Sequence, residues 1–361
     1  MTGRQSRYLD SKLLGPRLDA VFAACATAGL LRGGGAIAAA TLEGEPITAT
    51  YGATAGGEPT RPDHRFLLTS ITKPFTAIQV LQLAEAGLLD LRAPVAATIP
   101  EFGRHGKEHV TTWHLLTHTS GIDLVANTAE GPSAGLTPQQ HLQAALDAGL
   151  NFVPGTRFEY CSPGFWVLAE LVTRLTGRHY TDELVTMITG PLGMTGTRYE
   201  LQESAPERWA GANALYEAHL AEQVRRAGYP AGGIVGTVGD LVTFGRALLG
   251  CRGGAGGGGG AGDPNRGAGP QLVSPATLDA MACRAIAGWY QGRTVAWGLG
   301  WELGGLGDFG SDRTLFHYGG SGTGFWVDLD RGVVIALLTT SWHLDWQVYG
   351  RLANAVYGAL A

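Results

Sequence analysis

The sequence predicts an α+β fold in which one antiparallel sheet is assembled from both chain ends, flanked by helices, with a mostly helical insertion lobe between them. Three observations carry this expectation. Short apolar or β-branched runs open the chain at residues 36–42 and 46–51. Similar runs return near its end at 314–318, 324–329 and 333–340. Between them, from Thr69 to Leu249, apolar residues recur at helical spacing. A strand alternates its faces every two residues, whereas a helix returns to one face every three or four, so the two patterns separate cleanly.

Each element has a local cause. Glu43-Gly44-Glu45 separates the first two runs, and its glycine suits a hairpin turn. Ile71, Phe75, Ile78, Val80, Leu81 and Leu83 then mark a helix that Gly87 ends. Pro74 lacks an N–H and is tolerated only in a first turn, so this helix begins close to Ser70. Residues 112–116, 137–150, 165–175 and 241–249 continue the helical or loop pattern, with a stop at Gly177. Residues 345–360 form a closing helix. The expected division is an α/β lobe of residues 1–69 and 285–361 and a mainly helical lobe of residues 70–284. Within the latter, residues 251–269 are dense in glycine and lack the lysine of a phosphate-cradling loop, which predicts a flexible surface excursion.

Composition narrows the function. The chain has 361 residues, 45% hydrophobic and 16% charged, enough for a sizeable core in one large domain or two interleaved lobes. Its formal charge of -5 offers no positive field for a nucleic-acid backbone. Cys25, Cys161, Cys251 and Cys283 lie far apart, in no C-x-x-C pair, which fits a reducing compartment. Arg4, Arg7 and Lys12 are followed by no apolar run of signal-peptide length, and no window approaches the roughly 20 apolar residues of a spanning helix. The expectation is a cytoplasmic protein that does not insert into membranes.

Ser70-Ile71-Thr72-Lys73 carries the chemistry. A serine at a helix start and a lysine three positions later project from one face, so the amine reaches the hydroxyl. Serine is a weak nucleophile until a base takes its proton, and a desolvated lysine is such a base. The chain holds 11 serines and 3 lysines, so chance predicts only about 0.1 such pairs. A rival nucleophile is Ser133 in Gly131-Pro132-Ser133-Ala134-Gly135. With 56 glycines, about 0.3 such strings arise by chance, and Pro132 removes a donor beside the serine. His114 and His118, like His105 and His109, are one helical turn apart, but the H-E-x-x-H glutamate and a third ligand are lacking. A structural or surface role fits them better than a metal.

Other strings then fall into order. Leu115-Leu116-Thr117-His118-Thr119-Ser120-Gly121-Ile122, Pro154-Gly155-Thr156-Arg157-Phe158-Glu159-Tyr160, Pro191-Leu192-Gly193-Met194, Ala231-Gly232-Gly233-Ile234-Val235 and His317-Tyr318-Gly319-Gly320 follow Ser70-x-x-Lys73 along nearly the whole chain. In this the sequence resembles the serine β-lactamase and penicillin-binding-protein superfamily, in its branch of class C β-lactamases, D-aminopeptidases and family VIII carboxylesterases. The resemblance implies a β-lactamase/transpeptidase-like fold with the site between the lobes. It implies that Ser70 is acylated, that Lys73 and Tyr160 share base and acid duties, and that His317, in the third motif, joins them in the catalytic set. The Ser70 and Gly320 N–H groups would form the oxyanion hole, and no metal or organic cofactor is implied. A phenol near two cations would be driven toward phenolate.

Two departures from that pattern point away from β-lactams. Tyr160-Cys161-Ser162 has Ser162 where the family has an asparagine amide, and His317 stands where β-lactamases have a lysine that pairs with a carboxylate. Ser162, Gly319 and Trp326 are expected to contact substrate, with Trp326 walling an apolar pocket, while most tryptophans near the C-terminus pack the core. The expected activity is a serine hydrolase or acyltransferase acting on a small-molecule ester or amide, with water or an alcohol or amine as acceptor. A β-lactamase, a D-aminopeptidase or D,D-peptidase, and a non-catalytic acyl- or peptide-binding module are the alternatives.

Overall fold

A computed structural model of the chain describes residues 7–123, 136–202, 208–212, 215–252 and 271–361. Ser133 with its glycines, and residues 253–269 of the glycine-rich stretch, lie outside the described residues.

The α+β expectation holds. The helices are α1 (Ser11–Thr27), α2 (Thr72–Glu85), α3 (Thr112–Leu116), α4 (Pro138–Asp147), α5 (Pro163–Thr176), α6 (Tyr180–Leu184), α7 (Leu215–Arg226), α8 (Val238–Gly250), α9 (Pro275–Met281) and α10 (Trp346–Tyr357). The strands are β1 (Gly35–Thr41), β2 (Ile47–Tyr51), β3 (Phe66–Leu67), β4 (Arg198–Tyr199), β5 (Ile234–Gly236), β6 (Ile286–Tyr290), β7 (Arg293–Trp297), β8 (Glu302–Leu303), β9 (Thr314–Gly319), β10 (Thr323–Asp328) and β11 (Val333–Thr339). Eight of them form an antiparallel sheet in the order β2-β1-β11-β10-β9-β8-β7-β6. The N-terminal hairpin therefore pairs directly with the last strand, Gly35 opposite Thr339.

Both sheet faces are covered, which explains why β1, β10 and β11 read as continuous apolar runs rather than alternating ones. Alternation still sorts the side chains. Ile37, Ala39, Val333, Ile335 and Leu337 pack against α1 and α10, while Ala36, Ala38, Val334, Ala336 and Leu338 join the larger core that holds α2, α5 and α8. The closing helix α10 buries Val348, Tyr349, Leu352, Ala353 and Val356 along one stripe. Each large apolar side chain so buried contributes about 1.5–3 kcal/mol, and Leu352→Ala would cost ~2–5 kcal/mol. This packing fixes β9 and β10, the strands nearest the site.

Trp326 belongs to this layer, which corrects the expectation that it walls a pocket. On β10 it points opposite to Phe325 and Val327, is 1% exposed, and packs on Phe316 and Tyr349. Its Nε1 donates to the Leu306 carbonyl at 3.2 Å. The two-residue period of the strand, rather than proximity to the third motif in sequence, decides its side.

Among the described residues, no helix is long and apolar enough to cross a membrane.

Candidate active site

Ser70 sits in a 3₁₀ turn, Thr69–Ile71, that leads into α2. Residues 71–81 of this segment are buried on every side, so the helix is a central post and the serine stands at its top. Thr69 adopts φ 44°, a left-handed conformation that a β-branched residue enters only when its surroundings impose it. Those surroundings are hydrogen bonds from the β9–β10 turn. The Ser321 N–H donates to Thr69 Oγ1 at 3.3 Å, Ser321 Oγ to the Leu67 carbonyl at 2.6 Å, and Thr323 Oγ1 to the Leu68 carbonyl at 3.0 Å. Gly319 permits this approach: a Cβ there would lie 2.1 Å from Thr69 Oγ1 and 2.4 Å from the Leu68 carbonyl oxygen.

Lys73, one helical turn along, is wholly buried. Its Nζ donates to Ser70 Oγ and to the Ala231 carbonyl, both at 3.1 Å. The second contact exists because β5 pairs with β3 and carries the 231–233 segment against α2. Burial without a facing carboxylate pushes the Lys73 amine down to about 7. The amine also lies 4.7 Å from the centre of the Tyr160 ring, and the Tyr160 hydroxyl is hydrogen-bonded to Ser70. Lys73 from the next helical turn and Tyr160 from far along the chain thus meet at the Ser70 hydroxyl.

His317, on β9, faces the same centre. Its ring lies 6.3 Å from that of Tyr160 and edge-on to Trp297. Its Nδ1 donates to the Tyr318 carbonyl at 2.9 Å, which leaves Nε2 with the lone pair. Burial, then the neighbouring Lys73, pushes His317 down to about 3, so the ring is uncharged at neutral pH. The expectation of two cations and a phenolate is therefore corrected. Burial also raises the Tyr160 phenol well above its ordinary value, and the group poised to hold or release a proton near neutrality is Lys73.

Ser70, Gly319 and Gly320 open on a cavity of about 420 Å³. The Gly320 carbonyl is held by the His343 N–H at 2.9 Å, and the space where its Cβ would stand is open. Tyr160, Tyr290, Tyr318, Trp346 and Tyr349 wall the cavity. Tyr160 stacks on Tyr290 at 4.8 Å, and Tyr318 meets Trp346 edge to face at 4.7 Å. The Tyr318 hydroxyl donates to Gln291 Oε1 at 3.0 Å, tying the β6–β7 turn to the end of β9. Among the described lining residues, Asp345 is the one carboxylate, and no lysine or arginine is present. Arg293 stands behind this wall, paired with buried Glu302. Ser162 is half-buried at the N-cap of α5 and lies outside this lining. A larger cavity of about 680 Å³, lined in part by Thr48, Asp63, Arg65 and Asp240, lies away from Ser70 and brings no nucleophile to a base.

The wall residues Tyr290 and Trp346 and the buried Trp297 were not singled out from sequence as site residues. Tyr290 and Trp297 lie on β6 and β7, strands whose apolar pattern is weak. His114 and His118 do not share a helical face: α3 ends at Leu116, and His118 turns away with φ 56°. Among the described residues no group of three or more potential metal ligands is gathered.

Known proteins resemble this chain in sequence and in fold. A family profile described as Beta-lactamase matches residues 22–357. Esterase EstB of Burkholderia gladioli is 35% identical over 221 residues, 56% of this chain, and the match spans about half of that esterase, 55% of its length. Penicillin-binding protein 4 of Amycolatopsis lactamdurans is 30% identical over 295 residues, 77% of this chain and 72% of the relative. Among solved structures, EstCE1, described as a hydrolase with promiscuous acyltransferase activity, superposes with a TM-score of 0.77 over 96% of this chain and 99% of its own. The two share 19% identity, so the likeness is one of fold.

Proposed function

The chain belongs to the β-lactamase family, and from that premise we propose that it is a serine esterase whose Ser70 is acylated by small esters lacking a carboxylate. The observation that carries this reading is the Lys73 amine, buried, 3.1 Å from Ser70 Oγ and lowered to about 7. A neutral amine accepts the serine proton as Oγ attacks the ester carbonyl. The C–O bond to the leaving alcohol then breaks, and the proton passes through the Tyr160 hydroxyl to the departing oxygen. In the second half water attacks the acyl carbon, the acyl–Oγ bond breaks to release the carboxylic acid, and the proton taken from water returns along the same path to Ser70 Oγ. The Ser70 N–H, at a helix start where intrahelical acceptors are lacking, and the Gly320 N–H would stabilise the oxyanion.

The substrate class follows from charge. Neutral His317 offers no counter-ion, and Asp345 at the rim repels a carboxylate, which argues against β-lactams and C-terminal peptides. The aromatic wall gives an apolar platform for an acyl chain or an aryl alcohol. An alcohol or amine held there would compete with water, which makes acyl transfer the second outcome of one acyl-enzyme. Steady-state turnover of p-nitrophenyl acyl esters, with and without added alcohols or amines, tests the reading. Wild type should release p-nitrophenol and Ser70→Ala should not, with acceptor-dependent ester products marking transfer. Faster turnover of nitrocefin than of any ester would indicate a β-lactamase instead, and binding without turnover a non-catalytic module.

A further inference from the structure

Behind Tyr160 lies a histidine that this chemistry does not use. His118 is fully buried, and its φ of 56° lies in the left-handed region that non-glycine residues enter at a cost. Its carbonyl accepts the Glu159 N–H at 2.9 Å, and its Nδ1 accepts the Cys161 N–H at 2.9 Å. The residues on either side of Tyr160 therefore both donate to this one residue. Its ring also backs the Tyr160 ring, centre to centre 4.5 Å and tilted by 32°.

We infer that His118 is a positioning residue that clamps Tyr160, holding the phenol hydroxyl at Ser70; the inference rests on the function proposed above. The left-handed turn explains how a single residue presents both its carbonyl and its ring nitrogen to the 159–161 segment. An imidazole whose Nδ1 accepts carries its proton on Nε2. Burial, then Lys73 and His317, holds His118 well below its ordinary value, which keeps that acceptor available. A side chain that merely filled the space would back the Tyr160 ring equally well, but it would leave the Cys161 N–H buried without an acceptor.

Three variants separate clamping from filling. His118→Asn places Oδ1 where Nδ1 stands, and asparagine tolerates the left-handed backbone. His118→Gln places its oxygen nearer the position of Nε2, and His118→Phe keeps a ring with no acceptor. Steady-state kinetics on an activated ester, with circular dichroism to verify folding, should show His118→Asn within about threefold of wild-type kcat. His118→Gln and His118→Phe should lose about 100-fold in kcat at nearly unchanged KM. Equal kcat for the Asn and Gln variants, or wild-type kcat in folded His118→Phe, overturns the inference. Should His118→Phe fail to fold, the Asn and Gln pair decides alone. Should wild type itself prove inactive, the proposed function fails, and a crystal structure of His118→Gln decides the clamp. A Tyr160 hydroxyl displaced from Ser70 supports it, and one left in place refutes it.

Discussion

Lys73 Nζ lies 3.1 Å from Ser70 Oγ with burial, rather than a neighbouring carboxylate, setting its proton affinity. A lysine beside a carboxylate would stay protonated and could only donate. This one is divided between amine and ammonium near neutrality, and the behaviour of the site follows from that balance.

Acylation should rise with pH through an apparent pKa near 7, because the ammonium present below that value cannot take the Ser70 proton. His317, held at about 3, and Tyr160, well above its ordinary value, should leave the profile flat into the alkaline range. The pH dependence of kcat/KM for a non-ionising ester checks this. A falling limb near pH 6.5, as from an imidazolium, would contradict it.

Lys73→Met should abolish turnover and yet stabilise the fold at neutral pH, on the order of 1–2 kcal/mol, because it removes a buried amine that folding strips of water. The sign is fixed by linkage. The unfolded lysine keeps its proton up to 10.5 and the folded one only to about 7. The cost is therefore complete below pH 7, shrinks as pH rises, and vanishes above 10.5. Denaturant melts of both proteins at pH 6 and pH 9 should show the gap narrowing at the higher pH.

Tyr160→Phe keeps the ring against Lys73 and His118 but removes the hydroxyl hydrogen-bonded to Ser70. The expected loss in kcat is about 10²–10⁴-fold, the range of a general acid or base, with thermal stability close to wild type. Stopped-flow acylation would show the missing step directly.

Esters bearing a carboxylate should be poorer substrates than neutral esters of the same size, by at least ~10-fold in kcat/KM. Asp345→Asn should narrow that ratio while keeping the helix cap that Asp345 now gives Gln347, since asparagine caps as well as aspartate. An unchanged ratio would exclude Asp345 as its source.

Gly319→Ala should disable the site from the strand side. The added methyl would meet Thr69 Oγ1 and the Leu68 carbonyl, both held by the β9–β10 turn. The expected cost is about 1–3 kcal/mol of stability and a large loss of turnover, read by melting and by ester hydrolysis on one preparation.

The elements legible in the sequence are those marked by an unbroken apolar run or by a strong helical period. The hairpin at 36–51, strands β9 to β11 and helices α5 and α8 lie within a few residues of their expected bounds, because their side chains are sorted by burial. Strand β6 carries no polar-apolar contrast, since its half-buried and exposed positions alternate but both are filled by apolar residues, with Trp289 exposed. Helix α1 was equally hidden, with Gly15 and Pro16 inside it. The meeting of Ser70, Lys73 and Tyr160 was foreseeable from motif order. The charge of His317 was not, because burial depends on Trp297 and Tyr160 packed around it. Nor was the side on which Trp326 lies, which required the register of β10 on β9.

The central claim is a covalent bond to one oxygen atom, and rapid-quench mass spectrometry with an activated ester, followed by peptide mapping, reads it most directly. The account predicts a single acyl adduct on the peptide containing Ser70, absent from Ser70→Ala and slowed in Lys73→Met. An adduct on Ser133, or none on a folded wild-type protein, would contradict it.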